Sequence, residues 1–319
     1  MRKSLRLASI DIGTNSVRLL VAECDGERTS TVDRRMVITR LGEGVDDTRL
    51  LAAAAVDRTA VVLRDYRLAM EALKPAGFRA AATSALRDCG NNDDFLNLAA
   101  SILGETPEIL SGADEARASF VGAVSDIDWE HMDETGPVLV FDIGGGSTEI
   151  IVGNRRGITV HSVDVGCVRM SERFLTMDPP SPVAVGRMES YIVGQLKPVI
   201  GALPTQGVSL AIGLAGTVTT LSAIKQGLEK YDTDRIHHSH LSRAEVEDLS
   251  LRLASVGLEE RKRVMGIEPG RADVIVGGAA VLRAIMDSAC LEGILVSEKD
   301  ILDGLVIGLY RDLAGCVEQ

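Results

Sequence analysis

Aromatic side chains are scarce in this sequence: one Trp, four Tyr and five Phe in 319 residues. The core must therefore be built from Ala, Val, Leu and Ile, and the shortage of rings argues against base stacking as a binding device. Nucleic acid is not an expected partner. Positive charge is short as well, with 34 Lys and Arg against 46 Asp and Glu and a formal charge of -12. A phosphate-rich ligand would need a local basic groove or a metal ion to approach such a chain. The five cysteines, Cys24, Cys89, Cys167, Cys290 and Cys316, include no close pair. Neither a zinc site nor a disulfide framework is suggested, and the expected compartment is the reducing cytoplasm. No apolar run approaches the roughly 18 to 20 residues of a membrane span, and Asp11 interrupts the basic N-terminus before a secretory core could form. No membrane partner is expected either. The chain has 45% apolar and 25% charged residues, the balance of a folded protein rather than a disordered one, and its length suits two domains.

The strongest internal signal is a repeat. "SIDIGTNSVRLLVAE" from Ser9 overlays "VFDIGGGSTEIIVGN" from Val140, aligning Asp11 with Asp142, Gly13 with Gly144 and Ser16 with Ser147. Each copy reads as a strand ending in Asp, a turn of small residues and a second apolar strand, which is a hairpin signature. Two such units about 130 residues apart predict a duplicated domain whose two turns face one another across a cleft. The polar, acidic stretch "DIDWEHMDETGP" at 126–137 is the expected boundary. Between the repeats, helices are expected over 50–73 and over 93–103 with Asn91 or Asn92 as cap, and "SGADEARASFVGAV" reads as a turn into a helix. The strand-like pieces are "FRAAATSA" and "TPEIL". The second half continues with "GITVHSVDVG", helical patterns near 183–196, 243–254, 271–286 and 300–313, and strands "VSLAIGLAGT" and "GILVS". Such alternation predicts an α/β architecture.

Bare backbone at Gly144, Gly145 and Gly146 lets successive amides approach an anion, because no side chain blocks it and glycine tolerates positive φ; Ser147 and Thr148 add hydroxyls. No Lys follows these glycines, so the P-loop pattern is absent, and no dinucleotide fingerprint opens a helix. A third turn, "IGLAGTVTTLSAI", runs from strand into a helix expected to start near Thr217, making Gly216 and Thr217 candidate phosphate contacts at a helix N-terminus. Arg87, directly after an apolar strand, could bind phosphate bidentately. Three such turns point to a ligand with several phosphates, and an acidic protein that binds one calls for a divalent cation held by carboxylates. Asp142 is the leading metal ligand, with Asp11 as its counterpart. Glu149 interrupts an apolar strand where an unpartnered charge would be costly, so it is expected to face the cleft. Arg18, Arg40, Arg169 and Arg271 could join Arg87 in a basic path if they converge.

Taken in order, "IDIGTNSVRLLV", "ATSALRDCGN", "ILSGADEARASF", "VFDIGGGSTEI", "DVGCVRMSERF", "AIGLAGTVTT" and "RADVIVGGAAVL" resemble the exopolyphosphatase and guanosine pentaphosphate phosphohydrolase family over nearly the whole chain. The resemblance implies two actin-like, ribonuclease H-like domains of the acetate and sugar kinase, Hsp70 and actin superfamily. Residues 1–125 would form the first, completed by 298–319, and residues 126–297 the second. It implies Mg²⁺-dependent release of terminal phosphate from inorganic polyphosphate, with guanosine pentaphosphate as the alternative substrate and a non-catalytic nucleotide sensor as a further alternative. It also implies a homodimer. Carried over residue by residue, Glu115 in "GADEA" activates the attacking water, and Asp142 and Glu149 serve the metal or position that water. Gly13, Thr14, Asn15, Ser16, Arg87, Gly144 to Thr148, Gly216 and Thr217 contact phosphate. Two departures stand out: the chain matches the short two-domain members, and "DILDG" at 300–304 places Leu302 where the family usually has arginine.

Overall fold

The structure, a computed structural model, describes residues 4–127, 136–154, 157–205 and 207–315. Most of the expected boundary stretch, and Cys316, lie outside the described residues. In chain order the first elements are β1 (Leu5–Ile12), β2 (Ser16–Cys24), β3 (Thr29–Ile38), α1 (Val45–Thr48), α2 (Ala53–Leu73), β4 (Phe78–Ala82), α3 (Ser84–Asp88), α4 (Asn92–Leu103), β5 (Glu108–Ile109) and α5 (Gly112–Ala123). Next come β6 (Val138–Ile143), β7 (Thr148–Asn154), β8 (Gly157–Val163), α6 (Cys167–Phe174), α7 (Pro182–Ala202), β9 (Leu210–Leu214), α8 (Ala215–Lys225), α9 (Thr233–Ile236), β10 (His240–Ser242), α10 (Arg243–Ser255), α11 (Leu258–Arg261), α12 (Ile275–Ser288), β11 (Gly293–Val296) and α13 (Ile301–Gly315). Two compact units result, one of residues Met1–Ile127 with Lys299–Gln319 and one of Asp128–Glu298.

In the first unit the sheet order is β3-β2-β1-β4-β5, with β1, β2 and β3 antiparallel and β4 and β5 parallel to β1. Alternation along β1 sends Ala8, Ile10 and Ile12 into a core shared with α2 and α4, while Leu7 packs with Leu302, Val306 and Tyr310 of α13 on the opposite face. Period two therefore puts Ser9 and Asp11 on the α13 face as well. Ser9 Oγ confirms this by donating to the Leu302 carbonyl at 2.8 Å. On α2 the apolar positions Ala55, Val62, Leu63, Tyr66, Ala69 and Met70 fall three, four or seven apart, giving one buried stripe. Helices α13 and α5 cross closely because both carry glycine at the contact. A Cβ on Gly122 would stand 1.8 Å from the Asp300 carbonyl oxygen, and one on Gly304 would stand 1.9 Å from that of Ala118.

The second unit repeats the plan: read from β8, its sheet runs β8-β7-β6-β9-β11-β10, the first three antiparallel and β9 and β11 parallel to β6. Only the edge strand β10 is extra, antiparallel to β11. Leu139, Phe141, Ile143, Ile150 and Val152 form one face of the sheet and pack with α7, α8, α10 and α12. The duplication suggested by the two motifs, and the α/β, actin-like fold implied by the family resemblance, are thus present, with five strands of each sheet in equivalent order. Both hairpin turns even share one bond: Gly13 N–H donates to Ser16 O, and Gly144 N–H to Ser147 O, each at 3.0 Å.

Several element boundaries differ from the expectation. The strand through "FRAAATSA" stops at Ala82, since Ser84 already starts α3, and α8 begins at Ala215 rather than Thr217. Asn91 is the N-cap of α4 by position but makes no side-chain cap bond; its amide instead clamps Leu51 through both N–H and C=O.

Candidate active site

Parallel strands deliver the residues after their C-terminal ends to one edge of the sheet, the usual place for ligands in α/β proteins. In the first unit Ile12 lies level with Ala82, and Ala82 with Ile109. The turn at Gly13–Asn15, helix α3 with Arg87, and the start of α5 with Glu115 therefore share that edge. Side chains tie the three segments together. Thr14 Oγ1 and Ser84 Oγ are 2.8 Å apart, and Arg87 Nη1 donates to the Leu110 carbonyl at 2.9 Å and to Glu115 Oε2 at 3.2 Å. Glu115 is in the first turn of α5, whose N-cap Ser111 accepts from Asp114 N–H, and the residue is 8% exposed. Asn15 is buried; its carbonyl accepts the Thr39 and Arg40 amides, while its side-chain nitrogen has no hydrogen-bond acceptor. An orphaned buried donor beside a small-residue turn fits an anionic oxygen. Ser16, half-buried, lends its carbonyl to the turn.

Asp11 and Arg18 are register partners across β1 and β2. Arg18 Nε and Nη2 both reach Asp11 Oδ2, at 2.9 and 2.6 Å. Asp11 Oδ1 is buried and accepts no hydrogen bond. Burial pushes the Asp11 carboxyl above its ordinary range; Arg18 works against this, and Asp300 adds to it. A buried carboxylate oxygen that receives no hydrogen bond fits a hard cation or its bound water.

In the second unit the position matching Arg18 is Glu149, so Asp142 faces not a guanidinium but another carboxylate, its register partner across β6 and β7. Both are buried, Asp142 at 6% and Glu149 at 0% exposure. Glu149 Oε1 accepts from Ser162 Oγ at 2.8 Å. Like charges directly opposite on one sheet face repel, so two paired carboxylates make a natural seat for a divalent cation. Beside them is the glycine turn. The Gly144 carbonyl accepts from Cys167 N–H, the Gly145 carbonyl from Val168 and Arg169 N–H, and the Gly146 carbonyl from Arg169 Nε at 2.8 Å. These peptides are trans, because the cis bond of the described residues is Asp178-Pro179. A trans peptide points its N–H opposite its C=O, so the amides of Gly145, Gly146 and Ser147 turn together away from α6. Three successive amides aimed one way form an anion cradle.

The geometry corrects the reason expected for those glycines. None of the three takes a positive φ; positive-φ glycines lie elsewhere, as at Gly44 and Gly266. The close approach is seen from the other side: a Cβ on Gly166, the N-cap of α6, would meet the Gly145 carbonyl oxygen at 2.3 Å, while one on Gly144 would stand 3.0 Å from the Ser147 carbonyl oxygen. Thr148 is fully buried and donates its hydroxyl to the Val165 carbonyl at 2.5 Å, so its proton is already committed. Ser147 is buried at 1%.

Strand β9 brings the third turn to the same edge, since Asp142 lies level with Leu214 and α8 begins at the next residue. Ala215 holds φ at 66°, the left-handed region that strains a residue with a Cβ and collects at functional turns. The Arg271 guanidinium lies on Gly216, where an added Cβ would fall 1.6 Å from Nη1. Thr217 packs its hydroxyl toward Gly278 and Cys167. Arg169 and Arg271 thus serve the two turns of the second unit, and Arg18 and Arg87 the carboxylates of the first. Leu302, where arginine was expected, is fully buried against Leu7 and Leu20, so this position faces core rather than ligand. The acids Asp300 and Asp303 and the cation Arg34 around it were missed, although D-x-x-D before an apolar helix is a readable capping pattern.

Duplicated α/β units carrying buried carboxylates and amide-lined turns at the C-terminal strand ends define a phosphate-handling protein of the actin-like class. The sequence model of the Ppx/GppA phosphatase family matches residues 20–312. The chain belongs to that family, as the motifs implied. Exopolyphosphatase 2 of Mycobacterium tuberculosis is 39% identical over 318 residues, covering 95% of this chain and 98% of that protein. An exopolyphosphatase from Cytophaga hutchinsonii superposes with a TM-score of 0.86 at 27% identity, covering 97% of this chain and 98% of the other. The Ppx/GppA family member of Aquifex aeolicus gives 0.81 at 28% identity, covering 98% and 99%. The family spans exopolyphosphatase and guanosine pentaphosphate phosphohydrolase activities, and its phosphatases are generally metal-dependent. Among the described residues no helix is long and apolar enough to cross a membrane.

Proposed function

We propose that this protein is a Mg²⁺-dependent exopolyphosphatase that hydrolyses terminal orthophosphate from inorganic polyphosphate. The observation that carries the reading is the facing pair Asp142 and Glu149 beside three parallel turn amides. That combination suits a phosphate oxygen and a hard cation at once. The high identity to an exopolyphosphatase supports polyphosphate as substrate.

In this reading Asp142 and Glu149 would hold Mg²⁺ in the second unit, and Asp11 Oδ1 is the oxygen that the first unit offers to a cation. When bound, the ion supplies charge neutralisation on the non-bridging phosphate oxygens. The amides of Gly145, Gly146 and Ser147 and the α8 N-terminus at Gly216 and Thr217 bind phosphate oxygens in the second unit, and Asn15 Nδ2 is the corresponding donor of the first. Gly13, Thr14 and Ser16 shape the first turn, and Gly144 and Thr148 do the same for the second. Glu115, fixed by Arg87, holds the attacking water in line with the bond to be broken and accepts its proton. The protein is read as a homodimer, in keeping with its family resemblance, and as cytoplasmic, in keeping with its scattered cysteines.

Phosphate release should be measured from long polyphosphate, short polyphosphate and guanosine pentaphosphate, each with and without Mg²⁺. The reading expects long polyphosphate to be the best substrate and release to require the ion. Preference for guanosine pentaphosphate would move the assignment to the nucleotide phosphohydrolase. Binding of that nucleotide with no release from any of the three would make the protein a sensor.

A further inference from the structure

The N-terminus of α13 is a compact charged cluster on the Asp11 face of the first sheet. Asp300 caps the helix: its Oδ1 accepts from Leu302 N–H at 3.0 Å and its carbonyl from Gly304 N–H at 3.1 Å. Asp303 reaches back toward the Asp300 N–H at 3.4 Å and accepts from Thr29 Oγ1 at 2.5 Å. Arg34 of β3 pairs with Asp303 and lies 3.8 Å from Asp300 Oδ1. The other Asp300 oxygen is paired with Arg18 Nη1.

Arg18 is consequently held at two ends. A free guanidinium meets a carboxylate fork to fork, one nitrogen on each oxygen. Here Nε and Nη2 converge on Asp11 Oδ2 alone, with Nη1 anchored on Asp300, and Oδ1 is left bare. Among these five groups, Asp11, Asp300 and Asp303 carry three negative charges against the two positive charges of Arg18 and Arg34. The cluster keeps one negative charge in excess, next to the one carboxylate oxygen without a donor.

We infer that Asp300 is a positioning residue for cation binding at Asp11: by anchoring Arg18 it stops the guanidinium from swinging into a fork across both Asp11 oxygens, and so keeps Oδ1 open to the metal. The inference rests on the proposed metal role of Asp11. It gives Asp300 and its helix cap a part in the chemistry that a purely structural cap would not have. Asparagine is itself a good N-cap, so Asp300→Asn keeps the Leu302 bond while removing the charge that holds Arg18.

The test is Mn²⁺ binding to the full chain, followed by electron paramagnetic resonance, for the wild type, Asp300→Asn, Asp11→Asn and the double variant, with Mg²⁺ activation curves alongside. Asp300→Asn should weaken Mn²⁺ binding about tenfold, raise the Mg²⁺ concentration for half-activation by a similar factor, and lower kcat at saturating Mg²⁺ by less than it lowers metal affinity. The double variant should bind no more weakly than Asp11→Asn alone, and Asp300→Glu should recover part of the loss. Unchanged Mn²⁺ affinity in Asp300→Asn, with Asp11→Asn weakened, would overturn the inference and leave the metal role of Asp11 standing. Unchanged affinity in Asp11→Asn would overturn that role itself. A fall in kcat at full affinity would also refute the positioning role.

Discussion

Replacing Glu149 by Gln should make the metal-free protein no less stable while sharply weakening its hold on the cation. The two carboxylates are register partners on one sheet face and are almost wholly buried. Cβ atoms of such pairs lie about 4.5 to 5.5 Å apart, and two unit charges at about 5 Å repel by roughly 3 kcal/mol at an effective dielectric near 20. Gln is isosteric, and its carbonyl oxygen can still accept from Ser162 Oγ, now 2.8 Å from Glu149 Oε1. The substitution removes repulsion without opening a cavity. Because both acids have other partners, roughly 3 kcal/mol is an upper bound, equivalent to a rise in Tm of up to about 10 °C for a unit of this size. The substitution also replaces one of the two charged oxygen ligands by a neutral amide oxygen, so affinity for the divalent cation should fall by at least about tenfold. Thermal melting with and without Mg²⁺ reads both effects: the metal-free variant should melt at or above the wild type, and the Mg²⁺-induced shift should shrink. A variant that melts well below the wild type without metal, or that keeps the full Mg²⁺ shift, would refute the reasoning.

Gly166→Ala should fold but lose phosphate affinity, because its Cβ would stand 2.3 Å from the Gly145 carbonyl oxygen and must displace backbone of the amide cradle. Overpacking of this kind destabilises by about 1 to 3 kcal/mol, measurable by denaturant melting beside phosphate inhibition of turnover. Acid stability should carry a mark of Glu245. Burial alone would raise its carboxyl, but Lys225 and the Ser242 capping box outweigh that and hold it down to about 2. A depressed acid contributes stability that is complete above its unfolded value near 4.5 and is lost as pH falls toward 2. Glu245→Gln should therefore flatten the fall in stability between those limits while lowering stability at neutral pH, as followed by melting at stepped pH.

Much of the site could be read from the chain because the repeat is exact where the backbone matters: Asp11 and Asp142 end equivalent strands, and Gly13 and Gly144 make the same bond. What the repeat hid is the difference at the next register position. Arg18 neutralises Asp11, whereas Glu149 doubles the charge at Asp142, and only the strand pairing shows that these residues face their acids. The requirement for glycine at Gly166 was hidden because the Gly145 carbonyl that it packs on comes from a segment about twenty residues away. The early start of α8 was hidden by Ala215, which takes a left-handed φ that its side chain disfavours. Asn91 looked like a cap, but a partner 40 residues away competed for its side chain. Leu302 looked like a lost basic contact because a motif alignment carries no face; the helix period turns that position into the core.

Phosphate release from long polyphosphate by Glu115→Gln, at saturating Mg²⁺ and matched to wild type for Mg²⁺ affinity, tests the central claim most directly. If the carboxylate beside Arg87 holds the attacking water, release should fall by about 10² to 10⁴ while substrate and metal still bind. Release at the wild-type rate, or equally fast release after the metal is chelated, would contradict the account.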